Sequence, residues 1–425
     1  MTKEPRNITF IDLFAGAGGL SEGFIQAGYT PIAHVEMDAA ACMTLKTRSC
    51  YYYLRENGQY DVYMNYLSGK IDRDELYSHL PESEHARIIN SAISSENNEN
   101  IFNKIDISLG CKKVDIIIGG PPCQAYSIIG RSRSSDGMVS DSRNYLYLEY
   151  IKYLIYYKPK IFVFENVLGL QSAQNGKYLT DMQHKFHELG YKLKVFRLNS
   201  RNFGVLQNRI RLIIVGCHKD IKTDITNLEQ LQIIQNKEFV VGDLFSDLPA
   251  LQNGDGNLKI SNYALNEINE YLVSSKIRSP EDVLTQHITR PHNQQDLEIY
   301  RIAVKKWQDG NERLNYADLP KHLKTHKNEL AFTDRFKVVG ANLAASHTMV
   351  AHISKDGHYY IHPDINQNRS ISIREAARIQ SFPDNYYFEG ERSTLGSRTA
   401  AFRQIGNAVP PLMAKYIAET MKDLL

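Results

Sequence analysis

The chain predicts an α/β fold: a Rossmann-like core of mostly parallel strands covered by helices on both faces, with a second, smaller domain after it. Three observations carry this. Short runs rich in Ile, Val and Phe alternate with helix-like segments through the first half of the 425 residues, as buried parallel strands and their crossover helices do. The first run leads straight into a glycine cluster, a strand–turn–helix start. Beyond His218 the alternation stops and the composition turns histidine-rich and slightly acidic, which marks a separate unit.

Strands are expected at Ile8–Phe14, Pro31–Glu36, Val114–Ile118, Ile161–Phe164, Lys194–Leu198 and Leu212–Val215. Each is short and apolar, and several end in Gly, Asn or Pro. Between the second and third, Arg48–Asn103 is polar and Tyr-rich and reads as a mostly helical insertion. The core then spans residues 1–217, the second domain 218–368, and a terminal segment 369–425 returns to the core. The 218–368 segment has 17 Lys/Arg against 20 Asp/Glu and 9 of the 14 histidines. Those histidines lack the close spacing of a ligand array, so no metal is expected. Ser370–Gln380 has the pattern of an amphipathic helix, and Pro410 and Pro411 precede a final helix, Leu412–Leu425.

Composition excludes several classes. With 42% hydrophobic and 23% charged residues the chain is an ordinary globular protein. No apolar run approaches the roughly 20 residues that span a bilayer. The amino terminus enters a strand with no signal-peptide apolar region. Five cysteines without a C-x-x-C pair read as reduced thiols. A cytoplasmic monomer is expected. A net charge of +2 does not announce a nucleic-acid partner, so any basic surface has to be local.

The candidate chemistry lies at the carboxyl ends of the strands, where ligands sit in such folds. The turn Ala15-Gly-Ala-Gly-Gly-Leu20 lets the backbone approach a ligand, and the helix start behind it favours an anionic group. Dinucleotide enzymes use a similar turn, and a plain turn has the same composition. Glu36 ends the next strand, 17 residues beyond Gly19, where a carboxylate can accept two ribose hydroxyls. Asp106 is placed to receive an adenine amino group. After Val114–Ile118 come Gly119-Gly-Pro-Pro-Cys-Gln124, which fix the backbone and put Cys123 at the sheet edge. That thiol is either a buried structural cysteine or a nucleophile in electropositive surroundings. Glu165 ends the neighbouring strand, facing it. Arg209 and Arg211, two apart in extended chain, share a face and form a cationic pair for a base oxygen and the carboxylate.

These blocks, in this order, resemble the DNA cytosine-C5 methyltransferase family of bacterial restriction–modification systems. They are Asp12-Leu-Phe-Ala-Gly-Ala-Gly-Gly-Leu20, Gly119-Gly-Pro-Pro-Cys-Gln-Ala-Tyr-Ser127, Asp141-Ser-Arg143, Glu165-Asn-Val167 and Gln207-Asn-Arg-Ile-Arg211. Arg374-Glu-Ala-Ala-Arg378 and Gln404-Ile-Gly-Asn-Ala-Val409 complete the set. The resemblance covers the chain apart from Arg48–Asn103 and most of His218–Asn368.

The resemblance implies an S-adenosylmethionine-dependent core and a target-recognition domain acting on double-stranded DNA, with a cognate restriction endonuclease as a possible companion. Phe14, Gly16, Gly19 and Leu20 would line the cofactor site, with Glu36 on the ribose, Asp106 on the adenine amino group, and Met37 and Ile107 flanking the ring. Pro121, Leu146, Asn407 and Ala408 match further cofactor contacts. Asn407 can reach that site only if the end of the chain returns to the first domain. Cys123 would attack C6 of a flipped-out cytosine and Glu165 would hold N3, with Arg209 and Arg211 in support. Gln124–Arg143 resembles a mobile loop carrying Arg131, Arg133 and Arg143, with Ser127 on a phosphate. Thr348 opens a Thr-Met pair where the family has a Thr-Leu type. An RNA cytosine-C5 methyltransferase is the nearest alternative. An NAD-dependent oxidoreductase would use only the glycine turn and Glu36, and a non-catalytic DNA-binding regulator would be expected to lack Cys123 or Glu165.

Overall fold

The computed structural model describes residues 7–122, 145–221, 238–326, 332–391, 397–422 and 424–425. Its centre is a seven-stranded sheet in the order β3-β2-β1-β4-β5-β7-β6. The strands are β1 Thr9–Leu13, β2 Thr30–Glu36, β3 Ile88–Asn90, β4 Ile116–Gly119, β5 Ile161–Asn166, β6 Tyr191–Asn199 and β7 Ile210–His218. The first five run parallel. β7 lies antiparallel between β5 and β6, which a hairpin connection permits.

Six strands match those expected within a few residues. The seventh, β3, falls inside the stretch read as a helical insertion. Three residues, Ile-Ile-Asn, are too short to show a period. Most of the rest of that stretch is helical: the end of Ala39–Glu56, then Tyr60–Ser68, Arg73–Ser78, Glu82–His85 and the start of Asn98–Leu109. Asp38 and Asp72 cap two of these by accepting from Ala41 N and Glu75 N.

Period-2 alternation divides the sheet into two buried faces. Ile11, Leu13, Ile117, Phe162, Phe164 and Ile214 face one cluster, shared with Tyr150 and Phe186 of the helices Leu146–Tyr157 and Lys177–Glu188. Phe10, Ile116, Ile118, Ile161, Val163 and Ile213 face the other, shared with Phe24, Met413 and Ile417. That second face is covered by the helices Gly19–Gln26 and Pro411–Lys422. The end of the chain therefore does return to the first domain. At Gly23 a Cβ would lie 2.4 Å from the Ala414 Cβ, and Tyr29 Oη donates to Ala418 O at 2.8 Å.

The second region holds a two-stranded ladder, β8 Gly256–Asn257 with β9 His287–Ile288, and the helices Glu270–Ser274 and Gln294–Gly310. Its core does not stop at residue 368. Val241, Leu272 and Ile288 pack in one cluster with Ile373, Ile379, Phe402 and Ile405. The segment expected as an amphipathic helix is instead the shorter helix Ile373–Ile379, buried on every side. Its charges are neutralised internally: Glu375 by Arg369 at 2.7 Å, and Arg378 by Asp247 and Asp384, each at 2.5 Å. Ser372 and Glu375 form its capping box. Among the described residues no helix is long and apolar enough to cross a membrane.

Candidate active site

The carboxyl ends of β1, β2, β4 and β5 meet at one edge, and left-handed or glycine backbone marks the exits of β1 and β4. After β1, Phe14, Gly16 and Gly18 all have positive φ, at 57°, 54° and 80°. A left-handed Phe costs energy, and such strain persists where the surroundings enforce it, often at ligand sites. Where a Cβ on Gly16 would project there is open space. Gly19 has none: its Cβ would meet Val409 O at 2.3 Å and Ala408 Cβ at 3.0 Å. Ala408 is thus pressed against the start of the first helix, and Asn407, the last residue of Ser397–Asn407, is exposed beside it. Leu20 differs from expectation. Its side chain is buried in the core cluster with Phe24 and Val409, leaving only its backbone for a ligand.

Glu36 ties the turn to the end of β2. Gly16 N donates to Oε2 at 2.8 Å and Asp38 N to Oε1 at 2.7 Å. Burial pushes its carboxyl up, against the pull of the Asp38, Gly16 and Met37 N–H groups. Each carboxylate oxygen keeps a lone pair for a further donor. Met37 follows, 68% exposed, an apolar side chain presented to solvent next to Glu36. Asn90, at the end of β3, donates to Glu36 O and Met37 O at 3.1 Å each. Of these, only Asn90 goes unmarked in the sequence, because β3 does. Asp12, buried beneath the turn 3.8 Å from His34, was missed too; burial pushes its carboxyl up.

Asp106 and Ile107 are not part of this edge. They lie near the end of the helix Asn98–Leu109. Asp106 accepts hydrogen bonds from Tyr156 Oη at 2.7 Å and Tyr157 Oη at 3.1 Å. With Thr9, Lys112 and Lys160 it lines a hollow at the opposite, amino-terminal edge of the sheet. Ile107 is 78% exposed. Neither can take the adenine role expected of it, because the helix carries both across the sheet, away from Glu36.

The exit of β4 explains its glycine pair. A Cβ on Gly119 would fall 1.9 Å from Leu13 O, and one on Gly120 1.9 Å from Glu165 O. Only glycine lets the chain pass between the ends of β1 and β5. Pro121 O then accepts from Asn166 Nδ2 at 3.3 Å, which holds the segment leading to Cys123 beside Glu165. Cys123 itself, and Ser127, Arg131, Arg133 and Arg143, lie outside the described residues. Leu146, half-buried, opens the helix Leu146–Tyr157.

Glu165 is partly buried and paired with Arg211, Nε to Oε1 at 2.8 Å. The expected partnership of Arg209 with Arg211 does not form. Arg209, just before β7, is fully buried and donates to Met349 O and, at 3.1 Å, to Gly406 O. It fastens the second region and the terminal segment to the first. Gln207, also fully buried, works alongside: it donates to Ile379 O at 3.1 Å and Gln380 Oε1 at 2.8 Å, and accepts from Met349 N at 2.7 Å. Thr348 Oγ1 donates to Asn208 O at 2.6 Å. From there an open cleft of about 560 Å³ runs between the two regions, lined by Arg201, Asn208, Trp307, Arg313, Lys337 and Thr348.

Compared with known proteins, the chain matches the family model described as C-5 cytosine-specific DNA methylase over residues 8–63 and 83–423. It is 41% identical over 446 residues to the Type II methyltransferase M.Bpa9945I of Bacillus paralicheniformis, with 98% of each chain covered. It is 28% identical over 432 residues to the Type II methyltransferase M.DdeI of Desulfomicrobium norvegicum, covering 97% of this chain and 88% of that one. Among solved structures, a DNA modification methyltransferase encoded within a prophage of E. coli aligns with a TM-score of 0.62 at 20% identity, over 98% of this chain and 99% of that one. At that identity the likeness shows the fold alone. The unmatched stretch, 64–82, is narrower than the insertion expected at 48–103.

Proposed function

The chain belongs to the C-5 cytosine-specific DNA methylase family, and from that premise we propose that it transfers the methyl group of S-adenosylmethionine to C5 of a cytosine flipped out of duplex DNA, with Cys123 as nucleophile. The observation that carries this is the passage of Gly119 and Gly120 between Leu13 O and Glu165 O. It brings the nucleophile's segment, the glycine turn and the Glu165–Arg211 pair to one edge.

The turn suits the donor. Glu36 would accept ribose hydroxyls, Met37 would flank the adenine, and the open space over Gly16 would admit the ligand. Bound there, S-adenosylmethionine would supply a methyl group on a sulfonium centre. Cytosine C5 is too weak a nucleophile to take it unaided. Addition of the Cys123 thiolate to C6 makes the ring an enamine, with charge building toward C5 and N3. Glu165, oriented by Arg211, would accept from the exocyclic amine with one oxygen and deliver a proton to N3 with the other as that charge develops. C5 so activated would take the methyl group, the donor leaving as its neutral thioether, and loss of the C5 proton to a base would then expel the Cys123 thiolate and restore the aromatic ring. None of this can occur in the stack, so the base must be extruded.

Three of the remaining cysteines support Cys123 by contrast. Cys42, Cys50 and Cys217 are buried, and burial pushes their thiols up to about 12, 12 and 11, which leaves them inert. Cys111 is exposed but follows the helix Asn98–Leu109, at the amino-terminal edge.

The 218–368 region is proposed to read the target sequence through its cleft, where Arg313, Lys337 and Trp307 face Arg201 and Asn208. The test uses duplex DNA carrying 5-fluorocytosine, which blocks the last step. Wild type with S-adenosylmethionine should form a denaturant-resistant protein–DNA adduct, and Cys123→Ser should form none. An undiminished adduct in that variant refutes the nucleophile. Bisulfite sequencing of a plasmid from expressing cells reports the modified context, which Arg313→Ala or Trp307→Ala should alter.

A further inference from the structure

In the second region, three side chains that are distant in sequence converge. His292 and Asp296 stand four apart where the helix Gln294–Gly310 begins, and His358 comes from a turn more than 60 residues later. His292 Nδ1 is 4.0 Å from Asp296 Oδ2, and His358 Nε2 is 4.0 Å from Asp296 Oδ1. One ligand atom from each of the three lies within 4.8 Å of the other two. We propose that His292 Nδ1, His358 Nε2 and the Asp296 carboxylate bind one divalent cation of the zinc class.

The surrounding hydrogen bonds favour this. His292 Nε2 is 2.8 Å from Ser370 Oγ, and His358 Nδ1 is 2.8 Å from Tyr300 Oη. Each ring is thus oriented through the nitrogen that would not bind metal, the usual outer support of a histidine ligand. Tyr300 has one proton. If it accepts from His358 Nδ1–H, then His358 Nε2 carries a lone pair directed toward a carboxylate. At 4.0 Å the two acceptors are beyond hydrogen-bond reach, and a cation between them would draw both onto one centre. A tetrahedral Zn²⁺ with ligand bonds of about 2.0–2.2 Å requires ligand atoms roughly 3.3 Å apart, so the cluster must close by on the order of 1 Å. Tyr300 also touches His292 Nδ1, but at 3.3 Å this is the longer of its two contacts and the one binding would displace.

Local charge selects the kind of ion. Arg290 and Arg398 act on His292 as positive charges and Asp356, which pairs with Arg335, as a negative one. A hard cation held by electrostatic attraction would be disfavoured. A borderline metal that bonds to imidazole would not. The ion would pin the start of this helix to the turn at His358, and the same helix carries Trp307 into the cleft.

The test is metal binding by the untagged full-length chain, purified without chelator. Plasma mass spectrometry and Zn²⁺ titration against a competing chelator should give one equivalent per chain. Co²⁺ should give a tetrahedral visible spectrum, and Zn²⁺ should raise Tm reversibly with EDTA. Asp296→Asn, which keeps size and fold, and His358→Ala should each weaken Zn²⁺ binding by more than about tenfold. A folded wild type that binds neither metal at ~100-fold excess refutes the site. So does stoichiometry unchanged in Asp296→Asn, which would put the ion on other histidines.

Discussion

Gly120→Ala tests the geometry on which the proposed nucleophile depends. The added Cβ would sit 1.9 Å from Glu165 O, whereas real Cβ contacts are essentially never under 3.0 Å. Gly120 is not left-handed, so the perturbation is steric and not conformational. Glu165 cannot readily yield: it is in register with Ile213 of β7, and Phe164 before it with Gly119. The segment 120–122 must therefore shift by about 1 Å or more, and a misplacement of that size at a reacting group costs roughly 10² in rate. Overpacking should also lower stability by about 1–3 kcal/mol. Gly216→Ala is the control, because its Cβ would strike the Phe162 ring at 2.0 Å, inside the sheet and away from the site edge. The assay is methyl transfer to DNA under saturating substrates, normalised to folded enzyme, with urea midpoints measured in parallel. Both variants should lose stability, and only Gly120→Ala should lose kcat. A Gly120→Ala enzyme with kcat within about threefold of wild type refutes the clamp.

Glu165→Gln removes the charge that pairs with Arg211 and should lower kcat by ~10²–10³ while gel-shift affinity changes by less than about tenfold. Equal losses in both would make Glu165 a structural residue. Arg209→Ala leaves the carbonyls of Met349 and Gly406 without these donors, a loss of about 2–4 kcal/mol seen as a fall in Tm. Its kcat per folded molecule should exceed that of Arg211→Ala, and the reverse order would restore Arg209 to the reacting site. His347 is stacked on Tyr360 and bonded to Tyr359 O at 2.5 Å, and burial pushes it down to about 4 from 6.5. The unfolded chain takes up this proton at higher pH than the folded one. The stabilisation is therefore full above pH 6.5 and declines as pH falls toward 4, by at most on the order of 3 kcal/mol. His347→Phe should flatten the drop in urea midpoint between pH 7 and pH 5, and an unchanged slope excludes this histidine as a contributor.

What was legible follows from periodicity and local backbone demands. Alternating Ile161-Phe-Val-Phe164 can satisfy only a strand buried on both faces, and Ile161 with Val163 and Phe162 with Phe164 do fall in opposite clusters. The glycine turn and the Gly-Gly-Pro-Pro run were legible because few sequences tolerate such backbones. Asp106 and Ile107 show where a local string misleads. Ile-Asp-Ile looks like a strand end, but Ile101 and Ile105 are both fully buried, a spacing of four that belongs to a helix. On that helix Ile107 points outward, and β3, which does end beside Glu36, is too short to announce itself.

The two arginines of Gln207-Asn-Arg-Ile-Arg211 show a different limit. Period 2 puts them on one face only if both lie in the strand, and β7 starts at Ile210. Arg209 belongs to the preceding loop and turns into the protein, where Met349 and Gly406 offer carbonyls from segments roughly 140 and 197 residues away. No local pattern encodes such a meeting. The same holds for Arg378 between Asp247 and Asp384 and for His292 with His358. A buried cation costs several kcal/mol unless its partners are in place, so the arginine contacts depend on the tertiary fold and not on local sequence. The polar residues that join the two regions are therefore buried and distant in sequence, whereas those expected at the reaction lie beside strand ends that the sequence marks locally.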